Sequence, residues 1–189
     1  MNAFGVGTSS RSAKPSVIDA ATLSTWKDDP PIINLSSTPA LASIDKELNS
    51  KLVIWRGDIT RLFIGAIVNA ANDHLARGGG ICGVIFAAAG PTELVAACKK
   101  LKGCRTGSAK LTPGFNLPCQ AILHAVGPIY DEYDNETAKR LLACCYTSCL
   151  NLVKINNIRS LAFCCISTGI YGYPKYDAAV VAFQTIRSW

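Results

Sequence analysis

The chain has 189 residues, and its 49% hydrophobic content with only 17% charged residues is enough for the core of one globular domain, which excludes the disordered class. A net charge of +6, with lysine and arginine spread along the chain, favours a small anionic ligand over a specific nucleic-acid partner. No run approaches the ~18 apolar residues of a membrane span, so we expect no membrane partner.

Residues 1–50 are rich in serine, threonine, proline and aspartate, with weak helical periodicity around residues 17–26 and 40–48. We expect an irregular N-terminal arm with one or two short helices. Arg11, Lys14 and several serines precede any acidic residue, a composition loosely like that of an organellar targeting segment, but no clear amphipathic pattern accompanies it. We therefore expect a flexible terminus and a cytoplasmic or nuclear protein, with organellar targeting as the alternative.

Four short apolar runs after residue 50 are typical of β-strands. They are KLVIW at 51–55, GAIVNA at 65–70, QAILHAVG at 120–127 and RSLAFCCIS at 159–167. Nearly every position in them is apolar, which is the pattern of strands buried on both faces. We therefore expect a mostly parallel sheet with helices packed against both sides.

Helical patterns lie between these runs, at residues 82–90, 91–101 and 136–156. Pro91 suits the first turn of the second helix. The third helix carries an apolar stripe formed by Leu142, Cys145, Cys149 and Leu152. The alternation predicts a three-layer α/β/α domain with a mostly parallel, mixed central sheet over residues 51–189. A further helix begins near Pro174 and the sequence ends within it, so we expect the domain to lack its last strand and helix.

The nine cysteines are odd in number and show no C-x-x-C spacing, which argues against a disulfide scaffold. Several lie inside apolar runs: Cys144, Cys145, Cys149, Cys164 and Cys165. We expect reduced cysteines in the core. Because the chain has only two histidines and no cysteine pairs at zinc spacing, we expect neither a metal ion nor a bound cofactor.

A glycine-rich segment follows the second predicted strand. It contains Gly78, Gly79, Gly80, Ile81, Cys82 and Gly83. Three of the glycines fit the dinucleotide fingerprint G-x-G-x-x-G, but seven residues separate the first glycine from the strand and the next acid, Glu93, comes too soon. This disfavours an NAD-dependent dehydrogenase. Glycines let a backbone approach a ligand closely, and the free N–H groups at a helix start favour phosphate. We expect a phosphate-binding loop here, with a flexible turn as the alternative.

A second loop of the same character follows the fourth predicted strand. It contains Ser167, Thr168, Gly169, Ile170, Tyr171 and Gly172. Ligands of open α/β sheets bind beyond the carboxyl ends of the strands, so we expect the two loops to face each other and hold a diphosphate. Tyr171 is a candidate to cover a sugar, and the alternative is a surface aromatic in a turn.

Seven motifs occur in the order and spacing of a known family. They are GDIT at 57–60, AIVNAAN at 66–72, GGG-x-x-G at 78–83, AAAGPTELVAAC at 87–98, TGSAKLTPGFNLP at 106–118, ILHAVGP at 122–128 and CISTGIYGYP at 165–174. From residue 52 onward the chain resembles the macrodomain family, and specifically its MacroD-type branch. The resemblance implies a domain that binds ADP-ribose and mono-ADP-ribosylated proteins. In this branch it usually implies a hydrolase that removes mono-ADP-ribose from acidic side chains or deacetylates O-acetyl-ADP-ribose.

The resemblance also implies roles for individual residues. Asp58, followed by Ile59, would accept the adenine amino group, for which an acceptor-only carboxylate is suited. The two glycine-containing loops would hold opposite sides of the diphosphate, and Asn72 would fix the distal ribose and serve catalysis. The alternative for Asp58 is a turn or helix N-cap residue.

The chain departs from the MacroD-type pattern at two positions. Cys82 stands where the family usually has an aspartate that is thought to help activate the attacking water, and Phe86 stands where a histidine is common. Cys82 is a candidate base because a helix N-terminus lowers a thiol pKa, but a bound diphosphate opposes its ionisation. The alternative is a small residue that fills the first helical turn. Attack would then be assisted by the substrate phosphate, and the rival function is a reader that binds ADP-ribose without hydrolysing it.

Three further polar residues are weak candidates for the site. Asp73 and His74 follow Asn72, and His124 lies inside an apolar strand. We expect His74 to be solvated and His124 to be a hydrogen-bonded core histidine, and we assign none of the three a firm role. We expect the protein to be a monomer.

Overall fold

The computed structural model describes residues 16–29 and 44–189. Its regular elements, in chain order, are β1 (Ile18–Asp19), α1 (Lys46–Asn49), β2 (Leu62–Ala70), α2 (Gly80–Ala89), α3 (Pro91–Lys100), β3 (Ser108–Pro113), β4 (Cys119–Val126), α4 (Asn135–Ile155), β5 (Leu161–Ala162) and α5 (Lys175–Ser188). Short 3-10 helices lie at Ala20–Thr22, Ile59–Arg61 and Tyr130–Glu132.

The five strands form one mixed sheet with β2 at its centre. β2 pairs in parallel with β4 on one side and with β5 on the other, and its first two residues pair in parallel with β1. β3 is antiparallel to β4, with Ser108 opposite Val126. Because β2, β4 and β5 run in the same direction, their carboxyl ends meet at one edge of the sheet.

Two of the four predicted strands are confirmed as β2 and β4, and a third, at residues 159–167, is a strand only over Leu161–Ala162. The prediction of a strand at residues 51–55 is wrong. Val53 and Ile54 are 38% and 68% exposed, and the carbonyl of Leu52 accepts a hydrogen bond from Trp26 N (2.7 Å). Among the described residues nothing pairs with this run in a sheet. An apolar run becomes a strand only when a neighbour takes up its backbone hydrogen bonds.

The sequence did not predict β3. Lys110 and Thr112 interrupt its apolar pattern, and Pro113 ends it, which is tolerated because β3 is the outermost strand next to β4. The segment at 17–26 forms β1 and a 3-10 helix rather than an α-helix, because Asp19 caps the 3-10 turn by accepting from Ala21 N (2.9 Å). The segment at 40–48 forms α1 from Lys46, and its residues 40–43 lie outside the described part of the chain.

The predicted helices are confirmed, with α2 beginning at Gly80, two residues before its predicted start, and sequence signals mark the starts of α3 and α4. Pro91 occupies the first turn of α3. Asp134 caps α4 by accepting from Thr137 N (2.9 Å) and Thr137 Oγ1 (2.8 Å), and these hydrogen bonds lower the pKa of the Asp134 carboxyl. The predicted stripe of α4 faces the core, with Leu142, Cys145 and Cys149 fully buried.

Two apolar clusters cover opposite faces of the sheet. On one face Ile67 packs with Phe86 of α2 and Leu94 of α3. On the other face Val68 packs with residues of α4 and α5, among them Leu142. Neighbouring β2 residues thus enter different clusters, as the alternation of a strand requires. The three-layer α/β/α fold is confirmed.

α2 and α3 meet at Gly90, whose φ of +97° favours glycine. The two helices together have the length and composition of a membrane span but are bent by 111°, and no single helix in the described ranges is long and apolar enough to cross a membrane. Their apolar residues Ile85, Phe86 and Leu94 are buried in the core.

All nine cysteines lie in the described residues and are free. The expectation of core positions is confirmed for Cys145 and Cys149, and Cys164 is partly buried. It is wrong for Cys144 and Cys165, which are exposed. Cys144 lies one position away from the buried stripe of α4, and Cys165 lies beyond the end of β5, so an apolar neighbourhood in sequence did not bury them.

Candidate functional site

The loops that follow β2 and β5 lie at the carboxyl edge of the sheet. The first runs from residue 71 to the start of α2 at Gly80, and the second runs from the end of β5 to α5. Parallel strands place such loops side by side, and this edge is where open α/β sheets hold ligands. The site is therefore built from these two loops.

The side chain of Asn72 holds a turn in the first part of the loop after β2. Its Nδ2 donates to the carbonyl of Ala76, and its Oδ1 accepts from Ala76 N, both at 2.9 Å. This paired contact fixes the turn, in which Leu75 has a φ of +54° and is buried. The Asn72 amide keeps one N–H and one lone pair for a ligand.

The glycine loop leads directly into α2. Gly79 is the N-cap of this helix and provides no side-chain cap, so the first N–H groups of α2 have no side-chain acceptor there. Gly80 has a φ of +56°, a conformation that favours glycine. An ideal Cβ on Gly83 would lie 2.8 Å from the carbonyl oxygen of Gly78, so the loop folds back tightly over the first helical turn. A helix start of this kind favours an anion.

Cys82 lies beneath this loop, with only 4% of its surface exposed. Its Sγ accepts from Gly78 N (3.4 Å) and Asn69 Nδ2 (3.7 Å), and the thiol donates to the carbonyl of Ala76 (3.7 Å). Cys82 thus ties the two ends of the Ala76–Gly78 backbone to α2, which is the geometry of a residue that fills the first helical turn.

The second loop is held in a tight turn by its own backbone. Ser167 has a φ of +64°, and its carbonyl accepts from Tyr173 N (3.0 Å), while Gly172 N donates to the carbonyl of Gly169 (3.0 Å). The buried Oγ of Ser167 makes no hydrogen bond within the described residues. An ideal Cβ on Gly127 would lie 2.1 Å from this Oγ, so only a glycine at the end of β4 accommodates the turn.

The two loops approach each other as the sequence predicts. An ideal Cβ on Gly79 would lie 3.2 Å from Cδ1 of Ile170, whose side chain is 81% exposed. Tyr171 is half-buried, and burial raises the pKa of its hydroxyl, with Asp73 and Cys82 of the first loop raising it further. Ile170 of the second loop therefore lies against Gly79 of the first, and Tyr171 lies near Asp73 and Cys82.

Asp58 caps the 3-10 helix Ile59–Arg61 through hydrogen bonds that its Oδ1 accepts from Thr60 N (3.0 Å) and Thr60 Oγ1 (2.6 Å). Ile59 packs in the same apolar cluster as Cys82 of α2. The capping interpretation of Asp58 is confirmed, and its second oxygen leaves the carboxylate able to accept from a ligand.

Asn69, His124 and Thr112 form a buried polar network beneath the glycine loop, which the sequence did not predict. Asn69 Nδ2 donates to His124 Nδ1 (3.1 Å), so the ring proton sits on Nε2 and is donated to Thr112 Oγ1 (2.9 Å). Burial lowers the pKa of His124 to about 4, which keeps the ring neutral near pH 7. The expectation of a hydrogen-bonded core histidine is confirmed. The available signal for Asn69 was one polar residue inside an apolar strand.

The remaining candidates lie at the surface. His74 is exposed and lies 3.7 Å from Asp73 between Nε2 and Oδ1, so the expectation of a solvated histidine is confirmed. Among the described residues no cluster of three or more histidine, cysteine, aspartate or glutamate side chains could hold a metal ion.

The sequence and the fold are similar to those of known proteins. The model of the Macro domain matches residues 68–182. The chain is 52% identical over 153 residues to the Homo sapiens protein named ADP-ribose glycohydrolase MACROD2, a match that covers 81% of this chain and 36% of that protein. The chain therefore spans about a third of the length of that curated relative.

Solved structures agree with the fold. The macro domain of ganglioside induced differentiation associated protein 2 is 38% identical with a TM-score of 0.82, and the match covers 93% of this chain and 82% of that chain. A Trypanosoma brucei macrodomain in complex with ADP-ribose is 34% identical with a TM-score of 0.75, covering 92% of this chain and 65% of that chain.

Proposed function

Because this chain belongs to the macrodomain family, in its MacroD-type branch, we propose that it binds ADP-ribose and hydrolyses mono-ADP-ribose from acidic side chains of proteins. Deacetylation of O-acetyl-ADP-ribose is a related activity that the same site would support. The human relative is named as an ADP-ribose glycohydrolase, and the trypanosome structure contains ADP-ribose. The observation that carries the proposal is the close approach of the two loops, where Ile170 Cδ1 lies against Gly79, and the ligand crevice would be the space that these loops border.

The diphosphate would lie in this crevice. The N–H groups at the start of α2 would face it from one side, and the turn that begins at Ser167 would face it from the other. Both walls are mainly backbone, so they offer donors at close range without long side chains that would have to be ordered on binding. Asp58, at the start of the 3-10 helix Ile59–Arg61, would accept from the adenine amino group through its carboxylate.

Hydrolysis would take place at the distal ribose, which Asn72 would hold. Water attacks the anomeric carbon while its bond to the carboxylate oxygen of the modified side chain breaks, and the carboxylate leaves with the bonding electrons. A phosphate oxygen of the substrate orients the water and takes its proton. Positioning of this kind contributes ~7 kcal/mol or more to lowering a barrier. Cys82 would fix the loop rather than act as the base, because its Sγ is already engaged by Ala76, Gly78 and Asn69.

Replacing Cys82 with aspartate is expected to raise kcat by about tenfold, since a carboxylate there can accept a proton from the attacking water. Cys82→Ser, which retains a small hydrogen-bonding group, is the matched control and is expected to leave kcat within about twofold. Steady-state release of ADP-ribose, with thermal melting to compare stability, measures both. Equal kcat values in the aspartate and serine variants would show that a carboxylate at position 82 does not accept a proton from the attacking water.

The proposal is tested by calorimetry and by product release. ADP-ribose titrated into the protein should give saturable heat, and protein mono-ADP-ribosylated on glutamate should release free ADP-ribose over time. Absence of heat would refute binding. Saturable heat without release would assign the chain the role of a reader.

A further inference from the structure

Four of the 19 lysine and arginine residues lie around one place in the fold. Between Leu94 and Tyr130 the chain contains no aspartate or glutamate. The middle of this stretch and several residues of α4 border two adjoining depressions of about 500 and 250 Å³ that share Arg105 and Ser108. We call their four cations the basic face: Lys102, Arg105, Lys110 and Arg140.

The basic face lies next to the segment that carries Asn72. β3 is antiparallel, so it starts at the carboxyl edge of the sheet, and Gly107 N donates to the carbonyl of Val126 at the end of β4 (2.8 Å). Cys104, which lines the larger depression, donates its N–H to the carbonyl of Asp73 (2.7 Å), and Asp73 follows Asn72. The hydrogen bond between Cys104 and Asp73 thus connects the lining of the basic face directly to the loop that contains Asn72.

No carboxylate of the described residues lies within ion-pair distance of these cations. Lys110 Nζ donates to the carbonyl of Leu101 at the end of α3 (2.6 Å), and Arg105 Nε donates to Ser108 Oγ (3.1 Å), so both side chains are held in place by neutral groups. Lys102, Arg105 and Arg140 are exposed. The positive potential of this face is therefore available to an external anion.

We propose that the basic face binds an acidic polypeptide segment that flanks the modified side chain of the substrate protein. This inference rests on the proposed function, because a protein joined to the distal ribose leaves the crevice beside Asn72. Aspartate and glutamate residues near the modified position then lie over the two depressions. A nucleic acid fits less well, because neither lining contains an aromatic ring on which a base could stack.

The test uses two mono-ADP-ribosylated peptides that carry the same glutamate linkage. In one peptide the flanking residues are aspartate and glutamate, and in the other they are asparagine and glutamine. At low ionic strength the protein should show a KM about three- to tenfold lower for the acidic peptide, with similar kcat, because exposed charge pairs each contribute modestly. The double variant Lys102→Gln/Arg105→Gln should lose this preference. The matched control Lys154→Gln/Arg159→Gln removes two positive charges near the amino end of β5 instead. This variant should retain the preference for the acidic peptide.

Titration with free ADP-ribose separates this inference from the proposed function. All three proteins should bind free ADP-ribose with the same Kd, and loss of that binding in the unaltered protein would refute the proposed function itself. If ADP-ribose binds but both peptides give the same KM, the acidic-segment inference is overturned. It is also overturned if the Lys102/Arg105 variant loses affinity for single-stranded RNA while its peptide preference is unchanged.

Discussion

Asn72→Ala is expected to lower kcat for ADP-ribose release by about a hundredfold, because loss of a group that positions the reacting atoms costs that order of rate. The variant also loses both hydrogen bonds to Ala76, each worth about 1 kcal/mol, so a lower melting temperature is expected alongside. Single-turnover release from a glutamate-modified protein measures the rate, and calorimetry with free ADP-ribose measures binding.

A matched control distinguishes positioning from general destabilisation. Asn156 Nδ2 also donates to a backbone carbonyl, that of Leu152 (2.8 Å), at the far end of α4. Asn156→Ala should lower the melting temperature without changing kcat. If Asn72→Ala retained full kcat and full affinity, Asn72 would be a brace for the loop after β2 and nothing more.

The second large effect is expected in the dependence of stability on pH. Burial lowers the pKa of His124 from 6.5 to about 4, so the unfolded chain binds a proton between these pH values while the folded protein does not. The stabilisation is complete above about pH 6.5 and is lost progressively as the pH falls to 4. The loss should reach about 3 kcal/mol in the free energy of unfolding. Urea denaturation at several pH values between 7.5 and 4 measures it.

The two histidines of the chain provide the comparison. His124→Gln removes the titrating ring and should flatten the pH dependence relative to the unaltered protein, although its stability at pH 7.5 will be lower because Asn69 and Thr112 lose their partner. His74→Gln removes an exposed ring and should leave the profile unchanged. A profile for His124→Gln that is parallel to that of the unaltered protein would contradict a neutral, buried His124.

Sequence reasoning succeeded where the pattern is local. The runs of β2 and β4 are apolar at nearly every position, and Pro91 marks the start of α3 because its ring fixes a helical backbone angle. The facing of the two loops was also predictable, because parallel strands bring their carboxyl ends to one edge. This explains why Gly79 and Ile170, which are far apart in sequence, are neighbours in the fold.

The misses depend on partners that a local pattern does not contain. The run at 51–55 has strand composition but no neighbouring strand among the described residues, and β3 became a strand through β4 despite Lys110. Asn69 is recognisable as a polar residue in an apolar strand, but its partner His124 lies on another strand. For the same reason the gathering of Arg105 and Arg140 at one face could not be read from their positions in the sequence.

The left-handed backbone of Ser167 has a consequence for how ligands are discriminated. A non-glycine residue in this conformation has a higher conformational free energy than in the usual regions. In this fold the packing of the Ser167 hydroxyl against Gly127 offsets that energy without a ligand. The conformation of the turn is thus supported by contacts within the fold. Under the proposed function, discrimination between nucleotides would then depend on the match of preformed surfaces rather than on how readily a loop closes.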